Sequence, residues 1–322
     1  MSATRNLLKF LVLCVVWGLT WIAVKAGVET IPPMLFAATR FIAAGALLLA
    51  WSAKRGQMPA PCKVGAPRLM IVSLLMITLC YGPLFWGMKF VASGTAAVLE
   101  MSLTPLALLA FGMAAGEEHW NAVRAGAMLL GVVGLCVLFA PSRGEGNLSD
   151  LQSFVGLVAI AWAAISSAWG SVMARPLVSR YGSTTLSGAT TLIGGTVLLM
   201  LSFAIEPGSL TALSQMWDWK AVASWLFLVI FGSLIGYSIY VQLLRDIGPA
   251  KAGSFAFVSP AIAVSVGAVV AEETVSLQSL TGMALMLLAA AGSLFADRIQ
   301  PFIGARHRKA KPGLRQHILD HK

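Results

Sequence analysis

Apolar and polar positions do not alternate along this chain; the apolar ones come in long runs separated by short polar breaks. Ten runs stand out, at about 7–26, 34–52, 68–88, 91–115, 122–140, 153–174, 184–205, 220–243, 251–271 and 278–297. Each is close to the roughly 20 residues an α-helix needs to cross the hydrocarbon core. The breaks carry turn formers: "IPP" at 31–33, "MPAPC" at 58–62, "APSRGEGN" at 140–147 and "EPGS" at 206–209. They are too short to hold a soluble domain. The first run, Leu7 to Ala26, has the length of a spanning helix, and no A-x-A cleavage pattern follows it. It is expected to stay in the protein rather than serve as a signal peptide.

Composition sharpens that picture. Of 322 residues, 58% are hydrophobic and 11% charged, against about 45–50% and about 25% in a soluble domain. Mean hydropathy is +0.81. The expected fold class is an all-α polytopic membrane protein with ten transmembrane helices. The net charge of +10 does not point to nucleic acid, because no basic and aromatic recognition surface stands apart from the apolar runs. It points to topology. With the N-terminus in the cytoplasm, eighteen Lys and Arg fall on cytoplasmic loops and ends and four (Lys25, Lys89, Arg143, Lys220) on the other side, with Arg40 inside the second span. That asymmetry obeys the positive-inside rule and predicts both termini in the cytoplasm. The basic stretch "ARHRKAKPGLRQ" at 305–316 reads as a topology-fixing tail, with anionic lipid headgroups as the other possible partner.

The chain repeats itself. Pro105 and Pro260 are 155 positions apart, and the same offset carries Glu117-Glu118 onto Glu272-Glu273, Met128 onto Met283 and Leu130 onto Leu285. In the first and sixth spans "VVWGLTW" (15–21) resembles "IAWAAIS" (160–166), with Trp17 opposite Trp162. Each half then has five spans. An odd number makes the second half enter from the opposite side, so the expected plan is a 5+5 inverted-topology repeat, a recurrent design among secondary transporters. The units are 1–147, 148–297 and a basic cytoplasmic tail, 298–322.

Each repeat places a proline inside a span. Pro105 removes the hydrogen bond to the Met101 carbonyl and Pro260 that to Ala256. A carbonyl freed in the membrane must be satisfied by another group. Both prolines are candidate hinges; a packing kink satisfied by a neighbouring hydroxyl such as Ser102 is the plainer alternative. The double glutamates fall past helix ends, in loops, and read as solvated caps or loop charges rather than catalytic dyads.

Ten spans in a five-plus-five inverted order, "WGLTW" in the first span and a proline followed by Glu-Glu closing the fourth and ninth together resemble the drug/metabolite transporter superfamily, and within it the EamA-type members. The resemblance covers about residues 7–297. It implies a carrier of the bacterial inner membrane that exports small metabolites, and within the family the chain is most similar to aromatic amino-acid exporters. It also implies a central cavity walled mainly by spans 1, 3, 4, 6, 8 and 9. An importer or drug-efflux carrier shares the same architecture.

Aromatic residues in those spans sit at helical spacing. Trp162, Ser166 and Trp169 are at i, i+4 and i+7; Tyr81 and Phe85 at i and i+4; Tyr237 and Tyr240 at i and i+3; Trp17 and Trp21 at i and i+4. Trp51, Trp120, Trp217 and Trp219 lie at span ends, where an interfacial belt explains them. Trp17 and Trp162 are near mid-span and fit a belt poorly. Candidate substrate-binding residues are therefore Trp17, Tyr81, Phe85, Glu100, Trp162, Ser166, Trp169, Tyr237 and Tyr240. Aromatic walls with a few hydroxyls suit an amphipathic solute.

Glu100 is an acid deep in a span, where an ion costs about 2.5–3.5 kcal/mol on insertion scales. Three roles compete: proton coupling, binding a substrate ammonium, and a structural pair with Arg40. Helix rise puts Arg40 about 9 Å and Glu100 about 13 Å in from the same face, which permits a pair.

Enzyme classes find little support. There is no H-E-x-x-H, no G-x-G-D and no G-x-x-x-x-G-K-[ST], and His119, His307, His317 and His321 all lie outside the spans. Cys14, Cys62, Cys80 and Cys136 have no metal-ligand spacing. Neither a cofactor nor a metal is expected. The expected partners are a small-molecule substrate and the lipid bilayer; monomer and homodimer are equally compatible with the 31 glycines.

Overall fold

The structure is a computed structural model. It describes residues 3–28, 30–56, 66–87, 90, 93–138, 151–270 and 277–309. Among these there is helix and no strand, as apolar runs in lipid require: only a helix or a closed barrel satisfies every backbone group there. The helices are α1 (Ala3–Val28), α2 (Pro33–Lys54), α3 (Ala66–Gly87), α4 (Ser93–Ala114), α5 (Ala122–Leu138) and α6 (Leu151–Tyr181). They continue as α7 (Ser183–Ile205), a short α8 (Ser209–Ser214), α9 (Trp219–Ile247), a short α10 (Pro249–Gly253), α11 (Phe255–Val270) and α12 (Leu277–Lys309).

Six stretches of the described residues are long and apolar enough to cross a membrane: 33–54, 66–87, 154–181, 183–205, 219–247 and 280–297. Two shorter apolar helices cover 99–114 and 122–137. The first and ninth predicted runs fall on α1 and on α10–α11. The protein is a multi-pass membrane protein. Two helices outrun the sequence expectation. Helix α6 passes through Pro176 to Tyr181, and α12 carries helical backbone into the basic tail as far as Lys309. At Gly182, φ is +74°, a backbone angle that glycine adopts without penalty, and it separates α6 from α7.

Helices α3 and α9 share an irregularity that apolar patterning cannot reveal. Residues Leu74–Thr78 of α3 and Leu228–Tyr237 of α9 are wound as π-helix. Such segments leave carbonyls off the regular ladder and are frequent at functional sites. In both, a side chain from a crossing helix donates to a carbonyl of the wide segment. Ser166 Oγ of α6 bonds Leu75 O at 2.9 Å, and Trp17 Nε1 of α1 bonds Gly232 O at 3.2 Å.

Close packing pairs α2 with α7, α5 with α12, α4 with α6 and α1 with α11. The α2–α7 pair is tied at its end by Glu206. Its carboxylate accepts from Met34 N (3.0 Å) and Leu35 N (3.1 Å), the free amides of the first turn of α2, and from Ser202 Oγ at 2.8 Å. A carboxylate at a helix N-terminus satisfies orphan donors and complements the helix dipole. The largest buried cluster unites α1, α2, α3, α6, α7 and α9 around Phe10, Phe41, Met76, Phe85, Tyr237 and Tyr240.

Candidate functional site

The site grows from α1, α3, α9 and the start of α11. Trp17 hangs from α1 with its N–H spent on Gly232 O, which fixes the indole plane. Its ring centroid lies 4.6 Å from that of Phe255, edge to face, and 5.2 Å from that of Tyr240. The Tyr240 hydroxyl donates to Ser171 Oγ of α6 at 2.9 Å. One turn earlier, the Tyr237 hydroxyl lies 3.4 Å from Thr190 Oγ1 of α7 and 3.5 Å from Met76 Sδ of α3. Every polar tip is therefore anchored to a different helix, while the ring faces form a shared apolar wall.

A second aromatic group continues that wall along α3. Tyr81 packs edge to face on Phe41 (4.7 Å) and against Phe85 (5.9 Å). Arg40 of α2 lays its guanidinium 4.5 Å from the Phe41 ring centroid and 5.5 Å from that of Tyr81. Such cation–π geometry holds an ion without neutralising it. Glu100 of α4 lies within electrostatic reach of Cys80, Tyr81 and Tyr240. Among the described residues Glu100 and Arg40 form no ion pair, so the structural pair that their depths permit is not made.

The structure thus brings Trp17, Tyr81, Phe85, Tyr237 and Tyr240 into one cluster, with Glu100 within electrostatic reach of Tyr81 and Tyr240. The three α6 candidates are placed differently. Ser166 is wholly buried, with its hydroxyl on Leu75 O. Trp162 is 42% and Trp169 45% exposed, and Trp169 stacks on Phe111 of α4 at 6.0 Å. Pro105 and Pro260 both lie inside helices, α4 and α11. Near Pro105, Thr104 Oγ1 bonds Glu100 O at 2.8 Å. Glu272-Glu273 and Cys62 lie outside the described residues.

The first glutamate pair lies in the loop past the helix end, as expected, but is ion-paired rather than solvated. After α4 the chain turns back, with Glu117 N and Glu118 N both on Gly112 O (2.9 and 3.0 Å). That turn aims the carboxylates inward. Glu118 meets Arg124 at 2.6 Å, and Arg124 also meets Asp297 at 2.8 Å. Asp297 is further held by Lys251 at 2.5 Å. Glu117 meets Arg175 of α6 at 3.1 Å. Lys9 of α1 reaches Asp246 of α9 at 3.5 Å. The signal was there in outline: acids and bases at the ends of different runs, whose partners only the fold can assign. No cluster of three or more His, Cys, Asp or Glu suited to a metal occurs among the described residues.

Comparison with known proteins matches this architecture. The family model of the EamA-like transporter family matches residues 5–140 and again 154–295. The chain is 33% identical over 274 residues to the uncharacterized inner membrane transporter YedA of Escherichia coli K12, covering 82% of each chain. It is 32% identical over 284 residues to a chloroplastic WAT1-related protein of Arabidopsis thaliana, covering 85% of this chain and 65% of that one. It is 26% identical over 284 residues to the uncharacterized transporter YvbV of Bacillus subtilis 168, covering 88% and 90%. A solved crystal structure superposes with a TM-score of 0.78 at 19% identity, covering 93% of this chain and all of the other. With the family model matching twice across most of its length, the chain belongs to the EamA-like transporter family.

Proposed function

We propose that this transporter exports amino acids, aromatic or other neutral ones, or closely related small metabolites, across the bacterial inner membrane by alternating access. The observation that carries the reading is the aromatic site itself. Trp17 comes from the first half of the chain, Tyr237, Tyr240 and Phe255 from the second, and their rings meet at the seam. A solute bound there touches both halves, so movement of one half against the other changes which side it faces.

Several features support a five-plus-five inverted repeat over 1–147 and 148–297. The family model matches twice, in 5–140 and 154–295. The π-wound segments at 74–78 and 228–237 occur at corresponding places. The helix pairs α4–α6 and α1–α11 are related as repeat partners would be, as are the bonds Ser166 to Leu75 O and Trp17 to Gly232 O. The excess of Lys and Arg on one set of ends supports cytoplasmic termini and, with them, a cytoplasmic side for the Glu117–Arg175 and Glu118–Arg124 cluster. Pro105 and Pro260 are the proposed hinges. Trp162, Ser166 and Trp169 remain candidates for lining the path in another conformation, since α6 packs directly on α3 and α4.

The test is transport by purified protein. Proteoliposomes loaded with labelled aromatic, aliphatic and charged amino acids are followed for efflux and counterflow. Aromatic or aliphatic members are expected to move well above protein-free vesicles, and charged ones not. Movement of none of the aromatic or aliphatic members would overturn the substrate assignment.

A further inference from the structure

Arg40 is 6% exposed, on a helix that is apolar on either side of it. A guanidinium stays charged at every physiological pH and offers five N–H donors in one plane. Burial without an anion is unfavourable for such a group. The rings of Phe41 and Tyr81 contribute cation–π attraction, and the Tyr81 hydroxyl interacts with the guanidinium as well. Yet the Arg40 Nε–H has no hydrogen-bond partner, and among the described residues no carboxylate lies within 4.0 Å of this side chain. The other described acids in ion pairs are engaged elsewhere: Glu117 on Arg175, Glu118 on Arg124, Asp246 on Lys9 and Asp297 on Lys251. Glu206 is spent on the amides of Met34 and Leu35.

We infer that Arg40 holds the carboxylate of the transported solute. The inference rests on the proposed function and narrows it to carboxylate-bearing solutes. The Phe41 and Tyr81 rings lie against the cation, and its Nε–H, one half of the Nε–Nη edge, has no partner. That edge is the part of arginine that matches a carboxylate, with parallel charge-assisted hydrogen bonds. Tyr81 makes the connection to the aromatic wall. It touches Phe85, and it lies within electrostatic reach of Arg40 and of Glu100, two groups that do not pair with each other. A solute with a ring or aliphatic body against the aromatic wall and a carboxylate on Arg40 supplies the counter-ion this span lacks. An intramembrane ionisable group that marks a solute path is the usual reason such a residue is retained.

The experiment uses the full-length protein in nanodiscs and matched solute pairs: phenylalanine and leucine against their amides, and 3-phenylpropionate against 3-phenylpropionamide. Binding is measured by calorimetry and by quenching of tryptophan fluorescence. The wild type is expected to bind each carboxylate at least about tenfold more tightly than its amide, the scale of one charge-assisted contact. Arg40→Gln should reduce that preference to about twofold or less, and Arg40→Lys should keep part of it, as a charge without the planar fork. The wild-type comparison needs no folded variant. Carboxylates and amides binding alike would overturn the assignment of Arg40 while leaving amino-acid transport intact. Tight binding of 3-phenylpropionate but of neither amino acid would sustain Arg40 and overturn the amino-acid reading. Binding of no member of the panel would overturn both, and so would undiminished preference in a folded Arg40→Gln overturn the role of Arg40.

Discussion

Trp17 combines two jobs that can be separated by substitution. Its N–H closes a hydrogen bond on Gly232 O, and its ring faces Phe255 and Tyr240. Trp17→Phe keeps a ring but leaves the Gly232 carbonyl without that donor, a loss of about 1 kcal/mol of stability. Trp17→Ala removes the ring as well, and aromatic contacts of this kind contribute about 0.5–1.5 kcal/mol beyond their area. The expected outcome is a lowered melting temperature in both variants but an apparent affinity weakened about tenfold only in Trp17→Ala. Thermal unfolding and the concentration dependence of counterflow measure the two effects. Mid-span position drew attention to Trp17 and Trp162 alike. What separates them is the rotation of each helix. Helix α1 turns Trp17 into a cluster, whereas α6 turns Ser166 into α3 and leaves Trp162 and Trp169 on partly open faces. Rotation depends on partners distant in sequence, so spacing along one helix cannot decide it.

At the scale of elements, the spanning helices were legible because lipid imposes one solution on a long apolar run. The π segments in α3 and α9 were not, since their sequences are as apolar as any regular helix, and neither was the choice of neighbours. Those neighbours are set by small residues that let backbones meet. Helix α2 meets α7 at Gly45: a Cβ there would stand 2.6 Å from Leu192 N and 2.8 Å from Gly188 O. Both are backbone atoms and cannot swing aside, so Gly45→Ala forces the helices apart. Overpacking of this kind costs about 1–3 kcal/mol. Gly126 in α5 is the control, because a Cβ there meets nothing within 4 Å. Gly126→Ala should be neutral or stabilising by about 0.5–1 kcal/mol, from helix propensity alone. Thermal unfolding of the two purified variants is expected to move in opposite directions; equal shifts would mean that α2 and α7 do not pack at this register.

Over the whole molecule, ion pairs gather at one end and tie early elements to late ones: Lys9 to Asp246, Glu117 to Arg175, Arg124 to Asp297. On the proposed alternating-access reading, these contacts close the path at that end, and the aromatic cluster lies deeper along the helices. Closure of this kind must be reversible if the two halves are to rock, so the pairs should be strong enough to bias the equilibrium and weak enough to break. They differ in burial. The Arg124 and Glu118 side chains are nearly enclosed, whereas those of Arg175 and Glu117 are partly exposed. Breaking an exposed pair is worth about 0.2–1 kcal/mol. Removing one partner of a buried pair is worth about 3–5 kcal/mol, because a charge is left behind. Spin labels at Ala115 and Ser179, both exposed positions on the two sides of the Glu117–Arg175 contact, report the opening. Arg175→Gln is expected to raise the long-distance population modestly. Arg124→Gln should raise it much further, because it strands Glu118 and frees Asp297 together. High salt should imitate the first variant and not the second, since screening reaches exposed pairs first. If neither substitution lengthens the distance, the cluster is a static brace and the moving seam lies elsewhere.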